Sequence, residues 1–266
     1  MVFSKEHELY IKKHKRKKQF IRIMQLVLLI AIIIIWEIAA ETKIIDPFIT
    51  SSPSRIIATI GRLYNDGDLF IHIGVTMYET VMGFLLGTLI GTLIAILLWW
   101  SDTLCKILDP YLVVLNALPK IALGPVLIVW IGSGMESIIV MALLISLVVT
   151  IMTVLSGFTE ENSQKKLLMD TLGATKLQMF IYAVLPASIP TIVSALKLSV
   201  GMSWVGVIVG EYLVSKAGLG YLIVYGGQVF KLDLVMTSIV ILCILAAVMY
   251  YMVAALELAL KKWRNK

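Results

Sequence analysis

Four ionisable residues, Glu37, Glu79, Lys197 and Glu211, lie inside or beside long apolar stretches of this sequence. A charged side chain is costly in an apolar environment, so such residues tend to face a bundle interior or a water-filled passage. Each is therefore a candidate for contact with a substrate. Lys197 and Glu211 are the stronger candidates, because a separation of 14 residues places them on about one face of a helix.

Residue patterns for covalent or metal chemistry are missing from the sequence. It contains neither G-x-x-x-x-G-K-S/T nor H-E-x-x-H, and its two cysteines stand in no ligand spacing. The three histidines, His7, His14 and His72, all precede the second apolar window. Paired intramembrane carboxylates of the kind used in proton relays are not evident either. We therefore expect no catalytic residue, no metal site and no cofactor in this chain, and an ion-coupled secondary transporter is disfavoured.

The elements that must position these residues are membrane helices. The 266 residues are 59% hydrophobic and 15% charged, and the mean hydropathy of +0.94 is far above that of soluble domains. The composition predicts an all-α membrane protein with about six transmembrane helices. The apolar windows are 23–40, 81–100, 110–135, 137–159, 177–210 and 234–256.

The net charge of +6 is concentrated at the two ends of the chain, which indicates membrane topology rather than nucleic-acid binding. Eight Lys or Arg residues lie within the first 22 residues and four within the last six. We predict cytoplasmic basic tails at 1–22 and 261–266 around a membrane domain at 23–260, with both termini in the cytoplasm. The first window follows a basic tail as in a signal peptide, but without a small-residue cleavage site it is interpreted as an uncleaved anchor.

Glycines recur at helical spacing within two of the apolar windows. Gly83, Gly87 and Gly91 stand four apart and predict close packing against another helix, as do Gly206 and Gly210.

The prolines predict interruptions of the apolar windows. Pro119 and Pro125 are expected to bend the third span. The fifth window, 177–210, is longer than one span, and Pro186 and Pro190 predict that its span begins near Thr191.

A short amphipathic helix is predicted between the first two windows. In SSPSRIIATIGRLYNDGD, Ser52 precedes Pro53 and apolar residues recur at helical spacing. Such a helix would lie along the outer interface, or would only connect two spans.

The stretch DTLGATKLQMFIYAVLPASIP resembles the coupling loop of ATP-binding cassette importer permeases, whose pattern is E-A-A, three residues, G, nine residues, I-x-L-P. Gly173 matches the glycine, and Leu185 and Pro186 match the end of the pattern. Ala183 takes the place of the Ile, and the E-A-A positions hold Leu-Leu-Met, 167–169. The loop, at about 158–190, is on the cytoplasmic side of the predicted topology.

Four further stretches are similar to the permease subfamily for nitrate, aliphatic sulfonates and taurine, which includes relatives for thiamine precursors and riboflavin. They are SSPSRIIATI, GFLLGTLIGTLIAILL, LPKIALGPVLIVWIGSG and SWVGVIVGEYLVSKAGLGYLI. The resemblance implies a type I importer fold, with a five-helix core plus an N-terminal helix. It also implies a second permease copy, two ATPase subunits that bind ATP and Mg, and an extracytoplasmic solute-binding protein.

The resemblance also suggests roles for individual residues. In the loop, an apolar ridge would enter a groove on the ATPase, in the helix-in-groove mode; an amphipathic helix on the inner membrane surface would show similar residues. The residues expected to couple to the ATPase are Leu168, Met169, Asp170, Leu172, Gly173, Ala174, Leu177, Leu185 and Pro186. The residues expected along the translocation path are Lys120, Lys197, Trp204 and Glu211.

Overall fold

The computed structural model describes residues 5–159 and 163–264, and all regular secondary structure in them is helical. Residues 160–162 of the predicted loop, and residues 1–4 and 265–266 of the predicted tails, lie outside the described residues. In chain order the helices are α1 (Lys5–Glu41), α2 (Pro47–Thr50), α3 (Pro53–Asn65), α4 (Asp68–Trp100), α5 (Asp102–Ala117), a 3₁₀ turn (Lys120–Leu123), α6 (Gly124–Ile131), α7 (Met135–Thr159), α8 (Ser163–Thr171), α9 (Lys176–Met179), a π turn (Phe180–Val184), α10 (Leu185–Val214), α11 (Leu219–Gln228) and α12 (Leu232–Arg264).

The helices confirm an all-α membrane protein with about six spans. Within the described residues, five segments are long and apolar enough to cross a membrane: Lys13–Glu41, Asp68–Trp100, Met135–Thr159, Lys176–Val214 and Leu232–Ala259. The segments Asp102–Ala117 and Lys120–Ile131, bent by 86° at their junction, form a sixth if counted as one broken span.

Helix α7 lies at the centre of the bundle, packed between α4 and α10. The glycines of α4 face it: a Cβ on Gly83 would lie 2.5 Å from the Ala142 Cβ, and one on Gly91 would lie 2.9 Å from the Thr150 Cβ. Gly206 of α10 faces Ala142 from the other side. Small residues therefore let three helix backbones approach closely, as the glycine spacing predicts.

Helix α3 confirms the predicted amphipathic helix and closes one end of the bundle, which is called the α3 end below. Ser52 caps it, Pro53 occupies its first turn, and Ile56 and Leu63 are buried. Its Arg55 forms a 2.8 Å ion pair with Asp233 at the start of α12. The α3 helix therefore packs against the bundle and is more than a connector.

Helix α1 is exposed along most of its length and meets the other helices near its C-terminal end. There the Ser54 amide donates a 2.9 Å hydrogen bond to Oε2 of Glu37. Glu37 thus binds the first turn of α3 instead of facing the bundle interior. The predicted tail boundaries at 22 and 261 are not helix boundaries, because α1 and α12 run through them.

The third window differs from its predicted form as a single bent span. The chain leaves the helix at Leu118 and Pro119, so Pro119 does mark the bend. Pro125 does not bend a helix, because it lies in the first turn of α6. An N–H group at that position has no acceptor within the helix, so its absence in proline costs no hydrogen bond.

The helix of the fifth window does not begin near Thr191, and the predicted start of its membrane span there stays a prediction. The helical segment runs from Lys176 to Val214 without a break. The π turn immediately before Pro186 widens the helix where the proline ring would otherwise meet the preceding turn. Pro190 lies inside α10 and removes one hydrogen bond from it without ending the helix.

His72 also lies elsewhere than predicted. Helix α4 begins at Asp68, so His72 lies in the helix of the second span and not before it.

Candidate functional site

The segment that resembles the coupling loop folds as two short helices, α8 and α9, joined by a tight turn; α8, the turn and α9 are called the coupling segment below. Gly173 has φ +73°, the left-handed region that glycine enters without steric cost. The amides of Gly173 and Ala174 donate to the carbonyls of Asp170 and Met169, each at 3.0 Å. This closes α8 with a glycine C-terminal turn, and the expected coupling of Gly173 to the ATPase stays a prediction.

Helix α9 starts with a reciprocal cap. The amide of Gln178 donates to Oγ1 of Thr175 at 3.3 Å, and the amide of Thr175 donates to Oε1 of Gln178 at 2.8 Å. Both bonds satisfy amides that would otherwise lack partners at a helix start. The turn at Gly173 therefore leads directly into a new helix.

The coupling segment presents apolar side chains outward. Leu168, Leu172 and Leu177 are 58%, 73% and 53% exposed, and Met169 is partly buried. Exposed leucines next to polar residues suit docking into an apolar groove. The predicted apolar ridge is therefore present and uncovered in a single copy of the chain.

The base of the coupling segment is held to α4 by Lys176. Its ammonium donates a 2.7 Å hydrogen bond to the carbonyl of Trp100 and lies 5.7 Å from the centroid of the Trp99 ring. Phe180 is buried beneath it, with ring centroids 4.9 Å from Trp99 and 5.4 Å from Phe158. Helices α4, α7 and the π turn thus meet in one aromatic cluster under the segment.

Sequence reasoning did not single out this aromatic cluster. The available signal is the Trp99–Trp100 pair at the end of an apolar window, since tryptophans favour the membrane interface. A cavity of about 330 Å³ separates the end of α4 from the coupling segment. It is lined by Trp99, Asp102, Asp170, Ala174, Lys176 and Met179.

The end of the matched pattern leads into α10. Leu185 is partly buried, and Pro186 occupies the first turn of α10. Shortly after it, the hydroxyl of Ser188 donates a 2.7 Å hydrogen bond to the carbonyl of Gly157 on α7. The coupling segment is therefore continuous with a helix that is bonded to the centre of the bundle.

The four predicted translocation residues lie in different surroundings. Lys120 stands at the bend after α5, where its ammonium donates to the carbonyl of Asn116 at 3.0 Å. Lys197 forms an ion pair with Glu257 on α12. Trp204 is 4% exposed and belongs to an apolar cluster. Among the described residues these side chains share no hydrogen bond or ion pair with one another or with Glu211, so their role in translocation stays a prediction.

Glu211 is the centre of a buried polar network at the α3 end. Its Oε1 accepts a 2.6 Å hydrogen bond from the hydroxyl of Thr76, and its Oε2 accepts one from the amide of Gly220. The Thr76 oxygen in turn accepts a 2.8 Å bond from the amide of Leu219. The network therefore joins α4, α10 and the start of α11.

Glu79, one turn from Thr76 on α4, lies near Glu211, and each residue is 1% exposed. The expectation that intramembrane carboxylate pairs are missing is therefore wrong. The two residues are far apart in the sequence, and only the packing of α4 on α10 brings them together.

Residues 87–262 match the family described as binding-protein-dependent transport system inner membrane component. The chain belongs to this family. The match begins within α4 and covers α7, the coupling segment, α10 and most of α12. The coupling segment and the helices packed on α7 therefore lie in the part of the chain that matches the family.

Curated relatives cover almost the whole permease. The chain is 29% identical to the putative aliphatic sulfonates transport permease protein SsuC of Bacillus subtilis, over 96% of this chain and 92% of the relative. It is 28% identical to the formylaminopyrimidine transport permease protein ThiX of Halalkalibacterium halodurans, over 88% and 93%. The permease is thus similar to transport proteins named for chemically different solutes.

A solved structure supports the fold. The permease is similar to a chain of the MetNI methionine ABC transporter in an inward-facing conformation, with a TM-score of 0.64 and 19% identity, over 71% of this chain and 94% of that chain. This confirms the type I ABC importer fold expected from the resemblance. The match covers 71% of this chain, so the remaining residues lie outside the fold that the two chains share.

Proposed function

We propose that this permease is the transmembrane subunit of an ATP-driven importer and that the coupling segment is where a separate ATPase subunit docks. The observation that carries the proposal is an exposed apolar ridge, Leu168 and Leu172, mounted on a rigid aromatic base. A surface that transmits force must be exposed to its partner and packed firmly against its own fold. The coupling segment meets both conditions, through its exposed leucines and through the aromatic cluster under it.

The route of the force follows from the contacts of the coupling segment. Helix α9 continues through the π turn into α10, and Lys176 bonds the end of α4. Helices α4 and α10 both pack on α7. A displacement of the segment would therefore move the three helices as one body. We propose that ATP binding brings two such bodies together, that the passage then opens outward, and that hydrolysis reverses the motion.

The partners follow from the same proposal. The sequence contains no phosphate-binding loop, so in this proposal the partner ATPase binds ATP and Mg. The permease itself carries no cofactor and performs no covalent chemistry. A second copy of the permease completes the passage, and an extracytoplasmic binding protein delivers the solute. The lipid bilayer surrounds the helices, and nucleic acid has no part.

The orientation rests on charge. With both termini in the cytoplasm, sixteen Lys or Arg residues fall in cytoplasmic segments and five in external ones. The coupling segment then faces the cytosol, and the α3 end faces outward, where the binding protein docks. The membrane is the cytoplasmic membrane of a bacterium.

The solute is proposed to be a small anion such as nitrate, taurine or an aliphatic sulfonate. The named sulfonate relative supports this choice, and so does Lys120, whose ammonium contacts an uncharged carbonyl at the bend of the broken span. Lys197 attracts an anion less strongly, because Glu257 forms an ion pair with it. The alternative is a thiamine precursor or riboflavin, in line with the formylaminopyrimidine relative.

The test reconstitutes the full complex of permease, ATPase and binding protein in proteoliposomes. ATP-dependent uptake is measured for taurine, an alkanesulfonate, nitrate, formylaminopyrimidine and riboflavin. Accumulation of taurine, the alkanesulfonate or nitrate supports the proposal, and accumulation of formylaminopyrimidine or riboflavin selects the alternative. Ion-gradient-driven uptake by the permease alone, without ATPase, contradicts the importer mechanism.

Docking is tested in the same complex by the double variant L168A/L172A, which removes the ridge. The matched control is L89A on α4, since Leu89 is also 60% exposed but lies away from the segment. We expect L168A/L172A to lose ATPase association and L89A to retain it. Equal retention by both variants would contradict docking at the ridge.

A further inference from the structure

Two carboxyl groups are buried together where α4 and α10 meet at the α3 end. Glu79 and Glu211 are each 1% exposed, and Glu79 lies one turn from Thr76, whose hydroxyl donates to Glu211. Two negative charges in such a place repel each other in a medium that screens them poorly. One of the two groups must therefore carry a proton, and the surroundings of each group indicate which one.

Glu211 is surrounded by donors. The hydroxyl of Thr76 donates to Oε1, and the amide of Gly220 donates to Oε2. Gly220 belongs to the first turn of α11, where the positive end of the helix dipole favours an anion. Two donors, one of them at a helix N-terminus, stabilise an ionised carboxylate.

The start of α11 is shaped around the Glu211 carboxylate. A Cβ on Gly218 would lie 2.4 Å from Oε1 of Glu211, and one on Gly220 would lie 2.6 Å from Oε2. Gly218 also has φ +113°. The two glycines therefore leave the space that the carboxylate occupies, and a side chain at either position would displace it.

Glu79 has the opposite surroundings. Its Oε2 is buried and has no hydrogen-bond donor among the described residues. The nearby hydroxyl of Thr80 donates instead to the carbonyl of Thr76, one turn earlier. A negative charge on Oε2 would therefore have no donor to compensate it among the described residues, whereas a protonated Glu79 can donate its proton to the Glu211 carboxylate.

The other titratable side chains near the pair have other partners or are partly exposed. His72, one turn before Thr76 on α4, accepts a 2.9 Å hydrogen bond from the amide of Gly218 through Nδ1, and Asp68 stands one turn further out on the same helix. From α10, Tyr212 follows Glu211 but is 43% exposed. From α11, Tyr221 stacks on the ring of His72, with centroids 6.0 Å apart.

We propose that Glu79 and Glu211 form a one-proton latch, in which Glu79 stays protonated and donates to an ionised Glu211. The latch joins α4 to α10 through the carboxyl pair and joins both to α11 through the amides of residues 218–220. It is a positioning device for the α3 end of the bundle, in addition to the helix packing at α7. No co-reactant is needed, because the proton is shared between two groups of the chain and no bond is oxidised or reduced.

The latch makes Glu79 and Glu211 unequal, and two glutamine variants test that inequality. In E79Q the amide NH₂ replaces the acid as a donor to Glu211, so the network keeps its polarity. In E211Q an NH₂ group faces the donors Thr76 or Gly220, which leaves two donors opposed in a buried site. We expect E79Q to melt within about 2 °C of the wild-type chain and E211Q to melt about 5–10 °C lower.

The proton itself is measured by difference infrared spectroscopy of the full chain in lipid nanodiscs at pH 7. The wild-type chain is expected to show the C=O stretch of a protonated carboxylic acid, and E79Q is expected to lose that band. The control E136Q changes an exposed glutamate at the start of α7 and should retain the band. Neither measurement depends on ATPase, binding protein or solute, so failure of the latch and failure of the proposed transport function are distinguishable.

Three results would overturn the proposal. A band that survives in E79Q would mean that the proton is not on Glu79. An absent band in the wild-type chain would mean that both groups are ionised. A lower melting temperature in E79Q than in E211Q would place the ionised carboxylate on Glu79 instead of Glu211.

Discussion

The backbone of Ala142 on α7 fills the space that a side chain on Gly206 of α10 would need, since a Cβ on Gly206 would lie 2.4 Å from the Ala142 Cα. On the opposite side, a Cβ on Gly83 of α4 would lie 2.5 Å from the Ala142 Cβ. Ala142 is fully buried between the two glycines. Backbone cannot move aside as a flexible side chain can, so a side chain on Gly206 would have to push α10 and α7 apart.

The first prediction is that G206A destabilises the permease. The added methyl group must push α10 away from α7, and overpacking of this kind costs about 1–3 kcal/mol. The matched control is G201A on the same helix, where a Cβ meets nothing within 4 Å. G201A is expected to be neutral or slightly stabilising, because alanine favours a helix more than glycine does. Thermal unfolding of the purified chain in detergent measures both, and equal melting temperatures would contradict the packing argument.

The second prediction concerns the turn at Gly173. Its φ of +73° costs an ordinary residue about 1–2 kcal/mol, although a Cβ there meets nothing within 4 Å. We expect G173V to abolish solute-stimulated ATPase activity in the assembled complex, while G173N keeps much of it because asparagine tolerates this backbone region. Both variants should assemble with the ATPase. Full activity in G173V would refute the role of the turn in coupling.

The third prediction concerns the aromatic cluster under the coupling segment. F180A removes a buried ring that packs on Trp99 and Phe158 and should cost about 3–5 kcal/mol. The control Y182A, two residues further along the same π turn, removes a side chain that is 73% exposed and should cost little. We expect F180A to lose solute stimulation of the ATPase before it loses ATPase binding. Simultaneous loss of both in F180A would mean that the ring only stabilises the fold.

The fourth prediction separates structure from solute binding at Lys197. K197M removes the cationic partner of Glu257 and should lower the melting temperature, whereas K197M/E257Q removes both charges of the pair and should restore much of it. Uptake by the stable double variant is then informative. Wild-type uptake would show that Lys197 only pairs with Glu257, and lost uptake with a wild-type melting temperature would support a place for Lys197 on the translocation path.

The features that the sequence predicted correctly depend on neighbours along the chain. Gly173 ends a helix because its own backbone enters the left-handed region, and Ser52 with Pro53 starts α3 through bonds within one turn. The apolar windows predicted most of the spans, because crossing a membrane requires a continuous apolar run. The glycine spacing on α4 indicated which face would pack, although not which helix would cover it.

The features that the sequence did not predict depend on context beyond the local pattern. Pro186 and Pro190 are usual signals for the end of a helix, but here a π turn and the packing of α10 on α7 allow the helix to pass through them. Pro119 and Pro125 look alike in the sequence, yet only the first lies at a bend. A local propensity of a few kcal/mol is overridden when tertiary packing contributes more.

By itself the sequence determined the membrane class, the number of spans and the family resemblance, because each rests on composition or on short-range spacing. Only the tertiary structure decided the partners of the ionisable residues. Lys197 and Glu211 share a helix face by spacing, but one pairs with Glu257 on α12 and the other with Glu79 and Thr76 on α4. The Thr76 and Glu211 side chains are 135 residues apart in the chain. They meet because α7 holds α4 and α10 together, and no local pattern encodes which buried charge will face which donor.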